Sequence, residues 1–520
     1  ERVLADPEAF AVTLSEYIAL GDWRLFFHAR DQLDRIKPER LDAVASKYFV
    51  RDNRVLGTFI PDESPQRALV PPTPSPAQVL ASFKPQEKGD AGEIFDPSYD
   101  NLDSRTRLRT FGDLKVALLP KKNRGQTVNV AMTFRWGNES SLRDRNMVGT
   151  LAIAMLARGT RQLTRQQIAD ELTRLKVRGR LTHFETTRDK LPEALRLVAQ
   201  MLQDASFPPE EFAELKREYL TAFQAQLDSP EALSSDALNS HFNSYPPGDP
   251  RYYSSLAERI EQVRKTTLDE VIAYHRELIG TARGQIAIVG DFDEQAIEEE
   301  IARLFPSRVS GSPYARVDRE FRRIAPQRMV IDTPDKENAF LRARLDITLR
   351  DDDPDAAALQ VANTIFGGHS GLSSRLLDRL RQKEGFSYSA TSSLAMGSRQ
   401  RLANWTVVAM VAPQNAARAE QAFLEELQRA RRDGFTATEV AEAKKGVLEA
   451  RAVTRSQDSE VAARWASYLD LGRNWQFSKD FEARVMALTP EQVNAAFRAY
   501  IDPGQLTLVI AGDTRKGLRD

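Results

Sequence analysis

TTLDEVIAYHRELIGTARGQIAIVGD, residues 266–291, recurs as LTPEQVNAAFRAYIDPGQLTLVIAGD, residues 488–513, and earlier as IKPERLDAVASKYFVRDNRVLGTFIPD, residues 36–62. Each copy has a Lys or Thr entry, acidic residues in the first turn, apolar residues at helical spacing, a short polar turn, and a β-rich run ending in Asp. From Lys37 to Asp62, Thr267 to Asp291 and Thr489 to Asp513 the separations are 25, 24 and 24 residues. A capped amphipathic helix followed by a buried strand accounts for each copy. The outer copies match further back, SEYIALGDW (15–23) against ASYLDLGRNW (466–475). Recurrence at matched spacing marks a duplicated unit.

The opposite ends of the units repeat as well. LKVALLPKKNRGQTVNVAMTFRWG (114–137) and RMVIDTPDKENAFLRARLDI (328–347) each hold two apolar runs about a polar segment, and predict hairpins. Helices are expected after them at 145–157 and 165–176, and at 354–366 and 372–383. The fold class expected is α+β: tandem homologous two-layer units, each an antiparallel-rich mixed sheet covered by helices. The boundaries read as 1–62, the end of a preceding unit; 63–104, a linker rich in Pro, Ser and charge; 105–315, a complete unit; and 316–520, a second complete unit. RLKVRGRLTHFETTRDK (174–190) leaves about 12 residues between helices where the last unit has about 30. Either a hairpin has been lost there, or a loop is missing. Residues 1–62 make the chain resemble the back part of a longer polypeptide, with any signal peptide removed or upstream.

Composition narrows the function. The 73 Lys+Arg balance 74 Asp+Glu, so there is no basic field to attract nucleic acid. No run approaches 18 apolar residues, so no membrane span is expected. Cysteine is absent, which excludes disulfides and thiolate metal sites.

FGGHSGLSSRLLDRLRQKEGFSYS (366–389) is the stretch richest in chemistry. Its glycines lack the Lys-Ser/Thr of a phosphate loop and the strand-to-helix Gly-x-Gly-x-x-Gly order of a dinucleotide site. They form either a loop that lets backbone approach a peptide or the opposite half, or a plain turn. Ser373 or Ser374 caps a helix whose Leu376, Leu377 and Leu380 face the core, and Gly385 ends it. The five histidines (28, 183, 241, 275 and 369) include no two within five positions, so His369 has no metal-ligating partner nearby.

Duplicated α+β units on either side of a long linker resemble the pitrilysin/insulinase family of zinc metallopeptidases. The most specific matches are MLARGTRQLTRQQIADEL (155–172), similar to the family's segment after the zinc helix, and SRLLDRLRQKEGFSYS (374–389), similar to a segment of its last unit. The family carries an inverted zinc motif, His-x-x-Glu-His, just before the first segment. In register with it here stands TLAIA, with Thr150 and Ala154 at the histidine positions and Ile153 at the glutamate position. Zinc hydrolysis needs two imidazoles a helical turn apart and a carboxylate on the same face. TLAIA supplies none of these.

The resemblance therefore implies a non-catalytic C-terminal half of a metalloendopeptidase, one side of a two-lobed clamshell around a substrate chamber. This chain by itself is expected to be inactive and to bind no metal. Zinc is expected on an N-terminal catalytic half, either upstream in the same polypeptide or on a partner chain. In the family an Arg and a Tyr seven residues later hold the substrate backbone and stabilise the oxyanion; the matching residues are Arg381 and Tyr388. The alternative reading of the residues is an Arg paired with Asp378 or Glu384 and a Tyr packed in a sheet. Gly367, Gly368, His369 and Ser370 are candidates to line the chamber. The partners implied are the catalytic half and a peptide or small unfolded protein. A catalytically inactive assembly subunit or peptide-binding module of the same fold is the rival reading. The bacterial periplasm suits the chain, as do the cytoplasm and an organelle matrix.

Overall fold

In the computed structural model, residues 2–5, 7–33, 35–55, 57, 75–81, 83, 92–306, 308–368 and 374–516 are described. They fall into two bodies, Glu1–Ile94 with Lys122–Thr127, and Phe95–Lys121 with Val128–Asp520.

The first body is helical. Helices Pro7–Ala19, Arg24–Leu33 and Pro38–Tyr48 follow one another, the last with Pro at its start, where a missing N–H costs nothing. Phe10, Tyr17, Trp23, Phe26 and Phe27 meet edge to face. A short helix, Pro76–Leu80, lies within the expected linker and is closed by a capping box from Ser75 and Gln78.

The second body holds two sheets built to one plan. The strands of the first are β1 (Arg107–Phe111), β2 (Asp113–Pro120), β3 (Thr127–Phe134), β4 (Arg178–Arg180), β5 (His183–Thr187) and β6 (Arg283–Gly290). Those of the second are β7 (Arg328–Asp332), β8 (Ala339–Ile347), β9 (Ser387–Met396), β10 (Ala403–Val411) and β11 (Thr507–Gly512). The orders are β1-β2-β6-β3-β5-β4 and β7-β11-β8-β10-β9. In each, the last strand of the repeat runs parallel to the first of the pair and antiparallel to the second.

This overturns the two expected hairpins. β2 and β3 do not pair, because β6 lies between them, and β11 likewise separates β7 from β8. The physical reason is burial. β11 is buried throughout and β6 at every position but its first, so both need neighbours on each side and cover on each face. The 174–190 segment does hold a hairpin, β4–β5, shortened to 3 and 5 residues where β9 and β10 have 10 and 9.

Helices Asn146–Met155, Leu191–Gln203 and Leu268–Glu277 cover one face of the first sheet, through Leu114, Val116, Val130, Met132, Ile286 and Ile288. Helices Ala356–Phe366, Ala416–Asp433 and Pro490–Tyr500 cover the second through Leu341, Ala343, Val407 and Ile510. The fold is thus mixed α+β with helix-covered sheets. Each sheet's remaining face takes a helix from the other repeat. Helix Asp458–Leu471 puts Val461, Ala462, Trp465 and Leu469 onto Ala117, Leu119, Ala131, Ala287 and Val289 of the first sheet. Helix Pro230–His241 lies on β8, where Ser234 and Asn239 accept from Arg342 Nε (3.0 Å) and Arg344 Nη1 (3.3 Å). A fully buried large apolar side chain contributes roughly 1.5–3 kcal/mol, so this exchange binds the repeats firmly. Three arginines close the join at Asp470: Arg316 at 2.8 Å, Arg135 at 3.0 Å and Arg399 at 3.3 Å.

Candidate substrate-contact site

The Ser374 hydroxyl accepts from the Leu377 N–H at 3.2 Å and starts a short helix, Arg375–Leu377. Ser374 is therefore the cap. The helix then widens into a π-helical stretch, Asp378–Lys383, rather than continuing as the regular helix expected. The Glu384 N–H reaches Arg379 O at 3.3 Å, and the Phe386 N–H reaches Leu380 O at 2.8 Å. Gly385, at φ 66°, turns the chain out as expected of a terminating glycine. Leu376 and Leu380 stay fully buried, so the wider turn takes in its extra residue without losing the core contact.

The three arginines of this segment differ in their partners. Arg375 forks onto Glu439 at 2.5 and 2.7 Å and donates to Gly434 O. Burial opposes ionisation of the Glu439 carboxyl, but Arg375 and the Thr436 donors outweigh it and pull its pKa down to about 2. Arg379 pairs with Glu384 at 2.8 Å and Glu425 at 2.9 Å. Arg381 is exposed and has no carboxylate among the described residues; its guanidinium carbon stands 5.8 Å from the centre of the Tyr388 ring. Glu384, one of the two acids that could have claimed Arg381, is engaged by Arg379.

Tyr388 is not packed in the sheet. β9 is an edge strand, and its ladder with β10 pairs Ser389 with Met410 and then Ser387 with Val411. Tyr388 is the residue skipped, a β-bulge, and its side chain is 76% exposed. The Ser387 hydroxyl pins the bulge, within 2.7 Å of Ser389 O and 2.8 Å of Met410 O. A guanidinium fork and a phenol, both free to donate and neighbours in space, can grip a peptide carbonyl and a developing oxyanion.

The other candidates lie differently. Gly367 and Gly368 are buried at the end of helix Ala356–Phe366. The Ser392 N–H donates to Gly367 O at 2.8 Å, and a Cβ on Gly367 would come within 2.7 Å of Ser392 Oγ. Close approach to β9 accounts for Gly367, and Gly368 sits against Thr364 and Asn363 of its own helix; both are buried, and both are withdrawn from the lining set. Beneath them Asn363 Oδ1 accepts from Ser392 Oγ and Trp405 Nε1, each at 2.8 Å. His369 and Ser370 lie outside the described residues.

Thr150, Ile153 and Ala154 share helix Asn146–Met155. The Thr150 hydroxyl donates to Asn146 O at 2.9 Å, Ile153 is 48% exposed and Ala154 half-buried. This face meets solvent but offers a metal nothing. Among the described residues, no three His, Cys, Asp or Glu side chains converge as a metal set. His275 is buried with its Nε2 on Leu202 O at 2.9 Å; burial above all holds its pKa down to about 4. No described helix is long and apolar enough to cross a membrane.

Sequence reasoning missed the π turn, the bulge and the Asn363 network. The nearest signal was an exposed pair, Tyr388 and Ser389, interrupting a strand's alternation, but Ser-Tyr-Ser carries no polarity contrast that would reveal it.

Residues 265–447, which include Arg381 and Tyr388, match the family model of the peptidase M16 inactive domain. That stretch is similar to the peptidase M16 inactive domain. The M16 inactive domain match runs from helix Leu268–Glu277 of the first repeat to helix Ala437–Ser456 of the second. Among solved structures, the chain is similar to a peptidase M16 inactive domain from Pseudomonas fluorescens, with a TM-score of 0.68 and 20% identity over 78% of this chain and 97% of that one. It is also similar to a protease from Helicobacter pylori, with a TM-score of 0.66 and 16% identity over 78% of this chain and 99% of that one. The periplasmic protease PqqL from Escherichia coli aligns with a TM-score of 0.62 and 15% identity, over 92% of this chain but 50% of that one. No curated protein matches the sequence.

Proposed function

We propose that the chain is the non-catalytic C-terminal half of an M16-type zinc metalloendopeptidase, closing a substrate chamber opposite a zinc-bearing half. In this reading residues 1–62 end a second unit, 63–104 link it onward, and 105–315 and 316–520 are the third and fourth. The observation that carries it is the pairing pattern of one short segment. Arg375 and Arg379 are each neutralised by carboxylates, whereas Arg381 has no carboxylate partner among the described residues and stands beside an exposed, bulged Tyr388. An unpaired guanidinium next to a projecting phenol suits a ligand that arrives from outside.

Zinc on the catalytic half supplies the Lewis acid and the activated water. Arg381 donates to a carbonyl of the bound peptide and fixes its register. The Tyr388 hydroxyl donates to the oxygen that gains charge during attack. The periplasm is the compartment that fits, by analogy with the protease named periplasmic among the similar structures.

The test uses the assembled enzyme. Arg381→Ala and Tyr388→Phe lower kcat/KM by about 10²–10³-fold, the scale of one lost oxyanion donor, with zinc content unchanged. Near-normal turnover in both variants refutes the assignment. The degenerate Thr150–Ile153–Ala154 face fits a second reading equally, an inactive subunit or peptide-binding module. In that case the unmodified assembly binds peptide without cleaving it, and the same variants weaken only binding.

A further inference from the structure

The first repeat has its own counterpart of the edge that carries Arg381 and Tyr388. β4 takes in the first sheet the outer place that β9 takes in the second, lying beyond β5 as β9 lies beyond β10. Each edge strand follows a capped helical segment, started by Thr164 in one repeat and by Ser374 in the other. The β4–β5 hairpin is short, and residues 178–180 are all exposed. Gly179, at φ 119°, lets its two strands close up, since a Cβ there would stand 2.4 Å from His183 O.

Charge on this edge is of one sign. Arg178 faces Glu185 across the hairpin at 3.6 Å, but the exposed Lys176 and Arg180 have no carboxylate partner among the described residues. Nearby cations are paired: Arg174 holds Glu171 at 2.8 Å and Glu193 at 2.6 Å, and Arg188 holds Asp291 at 2.9 Å. His183 stands opposite Arg180 in the ladder. Burial first, and the Arg180 charge second, hold its pKa below the ordinary value. The second edge has the same bias. Lys383 is exposed and, like Arg381, has no carboxylate partner among the described residues, while Glu384 is taken by Arg379.

The chain as a whole is balanced, with 73 Lys+Arg against 74 Asp+Glu, so a surplus at two equivalent edges is local. Charge on an edge strand also blunts strand-to-strand aggregation, but either sign does that. A ligand of the opposite sign explains why both edges share one. We infer that the β4–β5 hairpin is a second peptide-contact edge, and that Lys176 and Arg180 take the Asp and Glu side chains of acidic peptides there. An exposed guanidinium and ammonium give carboxylates charge-assisted hydrogen bonds. Nucleic acid suits the edge less, because one short hairpin offers no basic stripe along which a phosphate backbone could run.

The inference rests on the reading of Arg381 and Tyr388 as a peptide grip, and adds the class of peptide gripped. Labelled peptides of one length, with Glu, Gln or Lys at alternate positions, are titrated against the full-length chain by fluorescence anisotropy. At about 20 mM salt the Glu peptide should bind about tenfold tighter than the Gln peptide, and the Lys peptide weakest; at about 0.5 M salt the Glu advantage should fall below about twofold, as exposed charges are screened. Lys176→Gln combined with Arg180→Gln should cut the Glu preference to about threefold or less while leaving the Gln peptide's affinity unchanged. Arg381→Ala should weaken the Glu and Gln peptides alike. Equal affinity for those two peptides, both weakened by Arg381→Ala, overturns the acidic preference and leaves the grip standing. A full Glu preference that survives the double substitution overturns the hairpin as its seat. A single-stranded oligonucleotide of equal charge that binds as tightly as the Glu peptide overturns acidic peptide as the ligand. Absence of binding by all three peptides overturns both the inference and the grip.

Discussion

The guanidinium carbon of Arg381 lies 5.8 Å from the centre of the Tyr388 ring, and each residue sits where its element departs from regular geometry. Arg381 is in a π-helical turn and Tyr388 in a bulge on an edge strand. Both devices insert one residue into a regular ladder and re-aim a side chain, and both are enriched at functional sites.

The arginines of this segment should separate by phenotype. Arg375→Ala strands the half-buried Glu439 carboxylate, and the chemical-unfolding midpoint should report a loss of roughly 2–4 kcal/mol. Arg381→Ala breaks no ion pair among the described residues and should change stability by less than about 0.5 kcal/mol. Equal losses from the two variants would show that Arg381 has a structural partner.

Gly367→Ala forces a methyl against Ser392, whose N and Oγ would stand at 2.8 and 2.7 Å. Because a backbone atom is among those struck, relief requires movement of β9, at a cost of about 1–3 kcal/mol. Thermal unfolding of the variant measures it. Unchanged stability with weakened peptide binding would return Gly367 to the ligand-facing set.

Asn363→Ala removes the acceptor shared by Ser392 and Trp405. A buried donor without a partner costs about 1–3 kcal/mol, and two are left here. The loss should be accompanied by a change in the emission of Trp405, which is fully buried in the parent.

Acidification should weaken the fold in two windows. His275 has a folded pKa of about 4, below the unfolded value near 6.5, so the unfolded state binds the proton first. Its stabilisation is fully present above the unfolded value and is lost as pH falls toward 4, roughly 3 kcal/mol in all. Glu439, pulled down to about 2, contributes above the unfolded carboxylate value and loses that contribution at lower pH. His275→Gln keeps a donor for Leu202 O and should flatten the unfolding midpoint between pH 6.5 and 4; an unchanged slope there would assign the effect to other groups.

The repeat was legible because its carriers are periodic: capped helices, a buried strand and a closing Asp. The segment pairing Arg381 with Tyr388 was legible only through its resemblance to a family. Strand neighbours were not legible. KKNRG between two apolar runs is the length of a hairpin turn, and nothing local announces that β6, some 150 residues on, will part them. The π turn and the bulge were hidden for a different reason. Each shifts backbone register by one residue while keeping Leu376, Leu380 and Ala390 buried, so the hydrophobic pattern barely records it.

The crossed helices have a consequence for inheritance and for folding. A single repeat cut from this chain would lose the helix that finishes its sheet and carry a helix with nowhere to dock. Truncations between the repeats should therefore yield aggregation-prone fragments, and the two should melt together. The smallest heritable module is the couple, so a lineage that gains or loses such units should do so two at a time.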